Sequence, residues 1–344
     1  MFSPNLKKNS SIFILGEALL RDEAGLGIPF ISTGGAELKK MLSEAGIDFN
    51  SCSSSVVLSS PPRENKIENV CVKKAEAGYS FPPPLSQGKY LHPSLLSERN
   101  RVHDEINLVN PNLVIALGNV ATWCLLDKTG IASLRGATFR SPYIGAKVLP
   151  TYHPAAILRN WELRHTVVVD LMKAEREQTI KDITYDEVTV IIEPTFAEME
   201  EFLQRALTLP ALTIDIETSP LRGQITCVGF SDGACSIVIP FVDKRKAGYS
   251  YWPDKASEVR AWGYVKKLCS LPNCKILQNG MYDITWLWRK VGITLAGSLD
   301  DTMLFHHSMF PEMTKGLDFL GSIYANLPAW KTLHRRGEYN KAEE

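Results

Sequence analysis

The chain has 344 residues, 44% of them hydrophobic, and balances 38 Lys and Arg against 38 Asp and Glu. That length and apolar content fit two domains of about 100–200 residues with packed cores, and zero formal charge excludes a polyanion-binding surface built on a general excess of Lys and Arg. No stretch approaches the roughly 18 unbroken apolar residues of a membrane span, and FSPNLKKNSSIFILGE holds too short an apolar run for a signal peptide, so a cytoplasmic protein without a membrane partner is expected. Seven cysteines, an odd number with no CxxC pair, read as reduced thiols.

In chain order, SIFILGE is an apolar strand ending at Gly16-Glu17, and TGGAELKKMLSEAGI places Leu38, Met41, Leu42 and Ala45 at helical spacing. SSSVVLSSPP is a short strand closed by prolines. The segment from Ala75 to Leu91, with Pro82-Pro83-Pro84, reads as a long surface loop. NPNLVIALGNVATWCLL is a strand turning at Gly118 into a helix, and AKVLPTYHPAAILRN a strand breaking at His153-Pro154 into another. Such alternation predicts an α/β domain with a parallel sheet and helices on both faces. Glu17, Ser55, Ser59, Gly118 and His153 are then expected at the carboxyl ends of strands, where α/β sheets bind ligands.

The charged stretch EREQTIKDITYDEV marks a seam, so the expected domains are 1–178 and 188–344 with a linker at 179–187. VTVIIEP is a strand, and Thr195 is placed to cap the helix FAEMEEFLQRAL. ITCVGFSD and ACSIVIPF flank Asp232-Gly233, a hairpin signal. The second domain is therefore expected to have a mixed sheet, unlike the first.

Between the capped helix and the hairpin lies ALTIDIETSP. Leu212, Ile214 and Ile216 alternate with Thr213, Asp215 and Glu217, so a period of two puts the apolar residues on one face and both carboxylates on the other. Two such acids repel unless a hard cation such as Mg²⁺ or Mn²⁺ relieves them. A third carboxylate, Asp283 in LQNGMYDITWLW, would complete a site for two ions about 3.5–4 Å apart, the arrangement that serves in-line displacement at a phosphodiester. It lies in a helix whose buried face is expected to be Ile284, Leu287, Trp288 and Val291, with Asn279 one turn before it. Tyr249, Tyr251 and Trp252 are available to stack on single-stranded bases, with packing as the alternative.

These residues carry a resemblance. Asp215-Ile216-Glu217-Thr218 and Asn279-Gly280-Met281-Tyr282-Asp283 are similar to the first two motifs of the proofreading 3′–5′ exonuclease domain of family A DNA polymerases, a ribonuclease-H-like member of the DEDD superfamily. The resemblance implies that Asp215 bridges two Mg²⁺ or Mn²⁺ ions, that Glu217 and Tyr339 hold the attacking water, and that Asp283 holds the second ion indirectly. Asn279 belongs to the substrate-binding part of the second motif. Glu343 takes the last ligand position in place of the family's Asp. Asp300 and Asp301 are spare carboxylates, with an Asp-Thr at this point structural in that family.

In the first half, GEALLRDEAGLGIPFISTGG, PNLVIALGNVATWCLL and LPTYHPAAILRN resemble segments of the uracil-DNA glycosylase superfamily, nearest to its iron–sulfur type called family 4. The resemblance implies that Phe30 stacks on a base rotated out of the duplex, that Glu17 places the water, and that His153 stabilises charge on the leaving uracil. Leu19-Leu20 replace the family's Pro-Gly. Ser55 replaces its pyrimidine-reading Asn. Ser59 stands where a cluster cysteine is expected, so no iron–sulfur cluster is expected.

Together the two halves resemble the N-terminal portion of certain phage DNA polymerases. The expected partner is DNA, with single-stranded 3′ ends and uracil-containing strands as substrates, and a polymerase domain or subunit absent from this chain is a further expected partner. If phage-encoded, the protein would work in the host cytoplasm. The chain reads as a fragment, half of a split polymerase or a shortened product, its exonuclease domain cut short. The competing expectation is a non-catalytic DNA-binding or polymerase-docking module with degenerate sites, or an active uracil-DNA glycosylase.

Overall fold

The computed structural model describes residues 2–184, 187–246 and 248–325; Tyr339 and Glu343 lie outside the described residues. Contacts divide these into residues 2–184 with 318–325, and residues 187–317.

The first unit contains β1 (Ile12–Ala18), α1 (Arg21–Ala24), α2 (Thr33–Glu44), β2 (Ser53–Leu58), β3 (Cys71–Val72), α3 (Lys74–Ala77), β4 (Tyr90–Leu91), α4 (Leu96–Val109), β5 (Leu113–Leu117), α5 (Gly118–Leu126), α6 (Ile131–Leu134), β6 (Phe139–Arg140), β7 (Lys147–Thr151), α7 (Pro154–Arg159) and α8 (Leu163–Glu177). Its main sheet runs β2-β1-β5-β7-β6, parallel except for β6 at one edge. β5 and the first four residues of β1 are wholly apolar because both faces of the sheet are covered there. Ile12 and Ile14 of β1 pack with Leu38, Met41 and Leu42 of α2 and Leu171 of α8. Phe13 and Leu15 pack on the other face with Val102 and Ile106 of α4 and Trp123 of α5.

The expected surface loop at 75–91 is instead pinned to this unit. β3 and β4 pair as a ribbon, Leu85 and Leu91 are buried, and Trp123 Nε1 donates to the Pro83 carbonyl at 2.7 Å. The prolines lack backbone donors, but the Pro83 carbonyl still accepts, and this bond adds to the ribbon and the buried leucines in holding the segment.

The second unit contains β8 (Thr189–Ile192), α9 (Phe196–Ala206), β9 (Ala211–Ser219), β10 (Gln224–Ser231), β11 (Cys235–Pro240), α10 (Lys255–Cys269), β12 (Cys274–Leu277), α11 (Met281–Val291), β13 (Leu299–Asp301) and α12 (Thr302–Met309). The next helix, α13 (Leu317–Tyr324), belongs by its contacts to the first unit, where Arg135 donates to Ser322 at 3.0 Å. The sheet runs β13-β12-β9-β10-β11-β8. β9, β10 and β11 form the antiparallel meander, while β12 and β13 join β9 in parallel and β8 joins β11 in parallel.

Thr195 and Glu198 make the reciprocal capping box that starts α9. Leu212, Ile214 and Ile216 are buried with Val228 and Ile237, whereas Asp215 and Glu217 are exposed. Leu287 is fully buried on α11, with Ile284 and Val291 packed at the margin. Trp288 is not on that face: it is 59% exposed. Asp283 occupies the inward position one turn before Leu287, which rotates the buried stripe away from Trp288. The chain is thus α/β, a parallel-sheet unit followed by a mixed-sheet unit. Among the described residues no helix is long and apolar enough to cross a membrane.

Candidate active site and base-recognition site

β9 is flanked by β12 on one side and β10 on the other. Its ladder with β12 stops at Thr213–Ile276, while its ladder with β10 continues to Ser219. Further along β9, the Ile216 N–H donates to Asp283 Oδ1 at 3.0 Å. That bond draws the Asp283 carboxylate against β9 and leaves the residue 4% exposed. Burial, with the charge of Asp215 as a lesser cause, pushes Asp283 up to about 6. Much of Asp215 is open to solvent, yet desolvation by its surroundings and then the neighbouring Glu217 charge hold its carboxyl above the ordinary range. Across the ladder Asp215 faces Gly229, which leaves the space beside it open, and Glu217 faces Cys227.

The loop that delivers Asp283 is held by a second acid. Asp301 accepts from the backbone of Asn279 at 3.2 Å and Gly280 at 2.8 Å, and also from Met303 and Leu304 at the start of α12. Asn279 adopts φ +58°, a conformation Asn tolerates. A Cβ on Gly280 would lie 2.7 Å from Leu277 Cβ, so the turn has no room for a side chain. Asp301 is therefore a structural clamp that joins the turn before α11 to the start of α12. Tyr282 hydrogen-bonds Thr218, tying the start of α11 to the far end of β9.

Asp215, Glu217 and Asp283 offer only carboxylate oxygens, and no Lys or Arg pairs with them among the described residues. Such a donor set fits a hard divalent cation. Among the described residues no three His, Cys, Asp or Glu groups converge closely enough to hold an ion by themselves. Any ion bound here therefore takes further ligands from outside those residues or from substrate.

In the first unit, Glu17, Gly118 and His153 converge at the carboxyl ends of β1, β5 and β7, three neighbours in the sheet. A Cβ on Gly118 would fall 2.5 Å from Glu17 Oε1 and 3.0 Å from His153 Cβ, and Gly118 has φ +85°. Only glycine meets both demands. His153 caps α7 by accepting the Ala155 N–H on Nδ1 at 3.2 Å. With Nδ1 an acceptor, Nε2 carries the proton of the neutral ring and is the donor.

Phe30 is 5% exposed, has φ +62°, and meets Phe49 edge-on at 6.1 Å. Its ring lies against Gly16, whose added Cβ would come 2.9 Å from Phe30 Cζ. Ser55 departs from expectation. It sits within β2, opposite Leu15, because that strand runs on to Leu58. Its hydroxyl donates to Glu105 at 2.6 Å and accepts from Arg101 at 3.3 Å, so it is committed to α4. Ser59 is likewise bonded to Glu98 on α4. Trp252 is packing too, stacked on Phe196 at 5.0 Å with Nε1 donating to the Pro240 carbonyl.

The sequence profile of the uracil DNA glycosylase superfamily matches residues 4–183, and that of a 3′–5′ exonuclease matches residues 190–341. The chain belongs to the uracil-DNA glycosylase superfamily, with a 3′–5′ exonuclease domain fused behind the glycosylase-like one. The type-4 uracil-DNA glycosylase of Thermotoga maritima is 31% identical over 175 residues, covering 48% of this chain and 77% of that protein. A DNA polymerase of Bacillus phage SP01 is 24% identical over 236 residues, covering 59% of this chain but 24% of the polymerase. Among solved structures, Escherichia coli RNase D overlaps 41% of this chain and 34% of its own at 18% identity and a TM-score of 0.30, too slight a likeness to carry weight.

Proposed function

We propose that the second unit removes nucleotides from the 3′ end of DNA with the help of Mg²⁺ or Mn²⁺. The observation that carries this reading is the Asp283 carboxylate seated on the Ile216 N–H beside Asp215, next to Glu217 and without a compensating cation among the described residues. Asp215, Glu217 and Asp283 would hold the metal, with Glu343 and Tyr339 contributing from outside the described residues. A divalent cation bound there supplies positive charge to the phosphate oxygens. Glu217, on the exposed face of β9, would accept a hydrogen bond from the attacking water. Asp283 fixes the depth of the site through β9, and Asn279 sets the turn beside the substrate end.

The full chain incubated with a 3′-labelled single strand and Mg²⁺ is expected to release mononucleotides, and Asp215→Ala to abolish that release. Equal background from both proteins would overturn the reading. Because a ligand that binds only the folded state stabilises it, Mg²⁺ is also expected to raise the melting temperature of the wild type but not of Asp215→Ala.

For the first unit we propose DNA recognition through a flipped base, supported by the convergence of Glu17 and His153 around Gly118. Ser55, committed to α4, is left out of base reading. A uracil-containing oligonucleotide treated with the chain and then alkali separates recognition from excision. Strand breakage lost in His153→Ala means excision as well; binding of the uracil strand without breakage means recognition only. Neither binding nor breakage would sink the proposal.

A further inference from the structure

The chain's even charge balance hides a local asymmetry beside the carboxylates. Immediately after β9 the backbone turns through residues 220–223, and Arg222 there lays its guanidinium 4.0 Å over the ring of Tyr249. Tyr249 is 40% exposed and is held at φ +60°, a conformation unusual for a bulky residue and the kind of strain that collects at binding sites. Arg222 first, and Lys244 to a lesser degree, favour the ionised form of the Tyr249 hydroxyl and hold it below the ordinary tyrosine range. Lys290, on the last turn of α11, reaches the turn from the other side, its ammonium 3.1 Å from where a Cβ on Gly223 would stand.

Lys290 also lies over the Trp286 ring at 5.3 Å, but none of these cations is neutralised by a carboxylate among the described residues. Arg245, close by, is taken up by Asp243 and Glu193, whereas Arg222, Lys244 and Lys290 make no ion pair with a carboxylate among the described residues. Arg222 follows Glu217 by five residues, so it lies within about 17 Å of it along extended chain. An exposed aromatic ring stacked with a guanidinium, with an ammonium group at the same turn, has the chemistry that takes a base with a neighbouring phosphate. It stands at the end of the strand that bears the carboxylates, and Asp215 and Glu217 repel the same phosphates unless metal is bound.

We propose that Arg222 and Tyr249 form a stacking subsite for a base of single-stranded DNA upstream of the nucleotide being removed, with Lys290 taking an adjacent phosphate. The proposal rests on the exonuclease reading of the second unit.

The test is fluorescence anisotropy with a labelled oligo-dT 12-mer on the full chain carrying Asp215→Ala, so that binding is read without cleavage. Adding Tyr249→Ala is expected to weaken binding about 5- to 150-fold, the range set by loss of one stacked base. Tyr249→Phe keeps the ring and is expected to bind like its parent. Lys290→Gln is expected to flatten the slope of log K against log salt by about 0.7, the loss of one phosphate contact on a single strand. Tyr249→Gly, which suits the left-handed backbone, is expected to melt no lower than its parent and yet bind as weakly as Tyr249→Ala; this separates loss of the ring from unfolding. Unchanged affinity in both Tyr249→Ala and Tyr249→Gly would overturn the subsite. Absence of nucleotide release by the Tyr249-intact, Asp215-intact chain would instead overturn the exonuclease reading, and the two failures are read in different assays.

Discussion

Asp283 is the residue on which the catalytic reading turns, and its environment gives it a measurable signature. The folded chain holds its proton up to about pH 6, whereas a carboxyl in the unfolded chain releases it near pH 4. Folding therefore takes up a proton in that window. For this group the stability is greatest below the window and falls as pH rises through it. In EDTA, Asp283→Asn is expected to remove this group's share of the decline, Asp215 contributing the same sign, and to leave the protein more stable than wild type at pH 8 by about 1–3 kcal/mol. Denaturant titrations at pH 4.5 and pH 8 measure this, and a wild type that gains stability across the window would contradict it. Asn keeps the oxygen that accepts from Ile216, so the comparison isolates the charge. In the first unit, Gly118 plays the complementary part. Its lack of a side chain is what lets Glu17 and His153 share one place.

At the scale of elements, a few buried polar groups fix the loops that carry these residues. Asp301 joins the turn before α11 to the start of α12, so Asp301→Ala is expected to cost about 1–2 kcal/mol as a lost helix cap and to loosen Asp283. Asp301→Asn, which keeps acceptor oxygen, is expected to recover most of that stability, as thermal melts of both variants would show. Little difference between Ala and wild type would mean that Asp301 is a spare acid after all. One strand earlier, Lys275 is fully buried and donates to the carbonyls of Leu271, Asn273 and Ala296 and to the Asn273 side chain. An unpaired buried ammonium would be costly, and this oxygen cage offsets that cost while locking β12 at the correct height beside β9. On α4, Arg101 binds Glu98, Glu105 and the carbonyls of Val56 and Val57. That network, with Ser55 bonded to Glu105 and Ser59 to Glu98, fastens β2 and the residue after it to α4.

For the whole molecule, the two sites belong to different units with separate cores, so their chemistry is expected to be separable. Asp215→Ala is expected to leave uracil-strand binding at the level of wild type, and His153→Ala to leave nucleotide release unchanged. EDTA is expected to abolish release and spare that binding. Loss of both activities in either mutant would show that the two units act as one. The boundaries proposed from the charged seam, 1–178 and 188–344, are open to limited proteolysis, which is expected to cut within 179–187.

Much of this protein is determined by local pattern. The period of two in β9 placed Asp215 and Glu217 on one face, Thr195 announced α9, and Asp232-Gly233 announced the hairpin, because each depends on backbone geometry within a few residues. The first two exonuclease motifs and the glycosylase-like segments were legible for the same reason. Tertiary structure decided the rest. The β9–β12 ladder ends where Asp283 can reach Ile216, Ser55 turns to Glu105, Trp288 faces solvent, and Arg222 meets Tyr249. Each of these depends on partners distant in sequence, whose desolvation and hydrogen bonding are set only when the chain has folded.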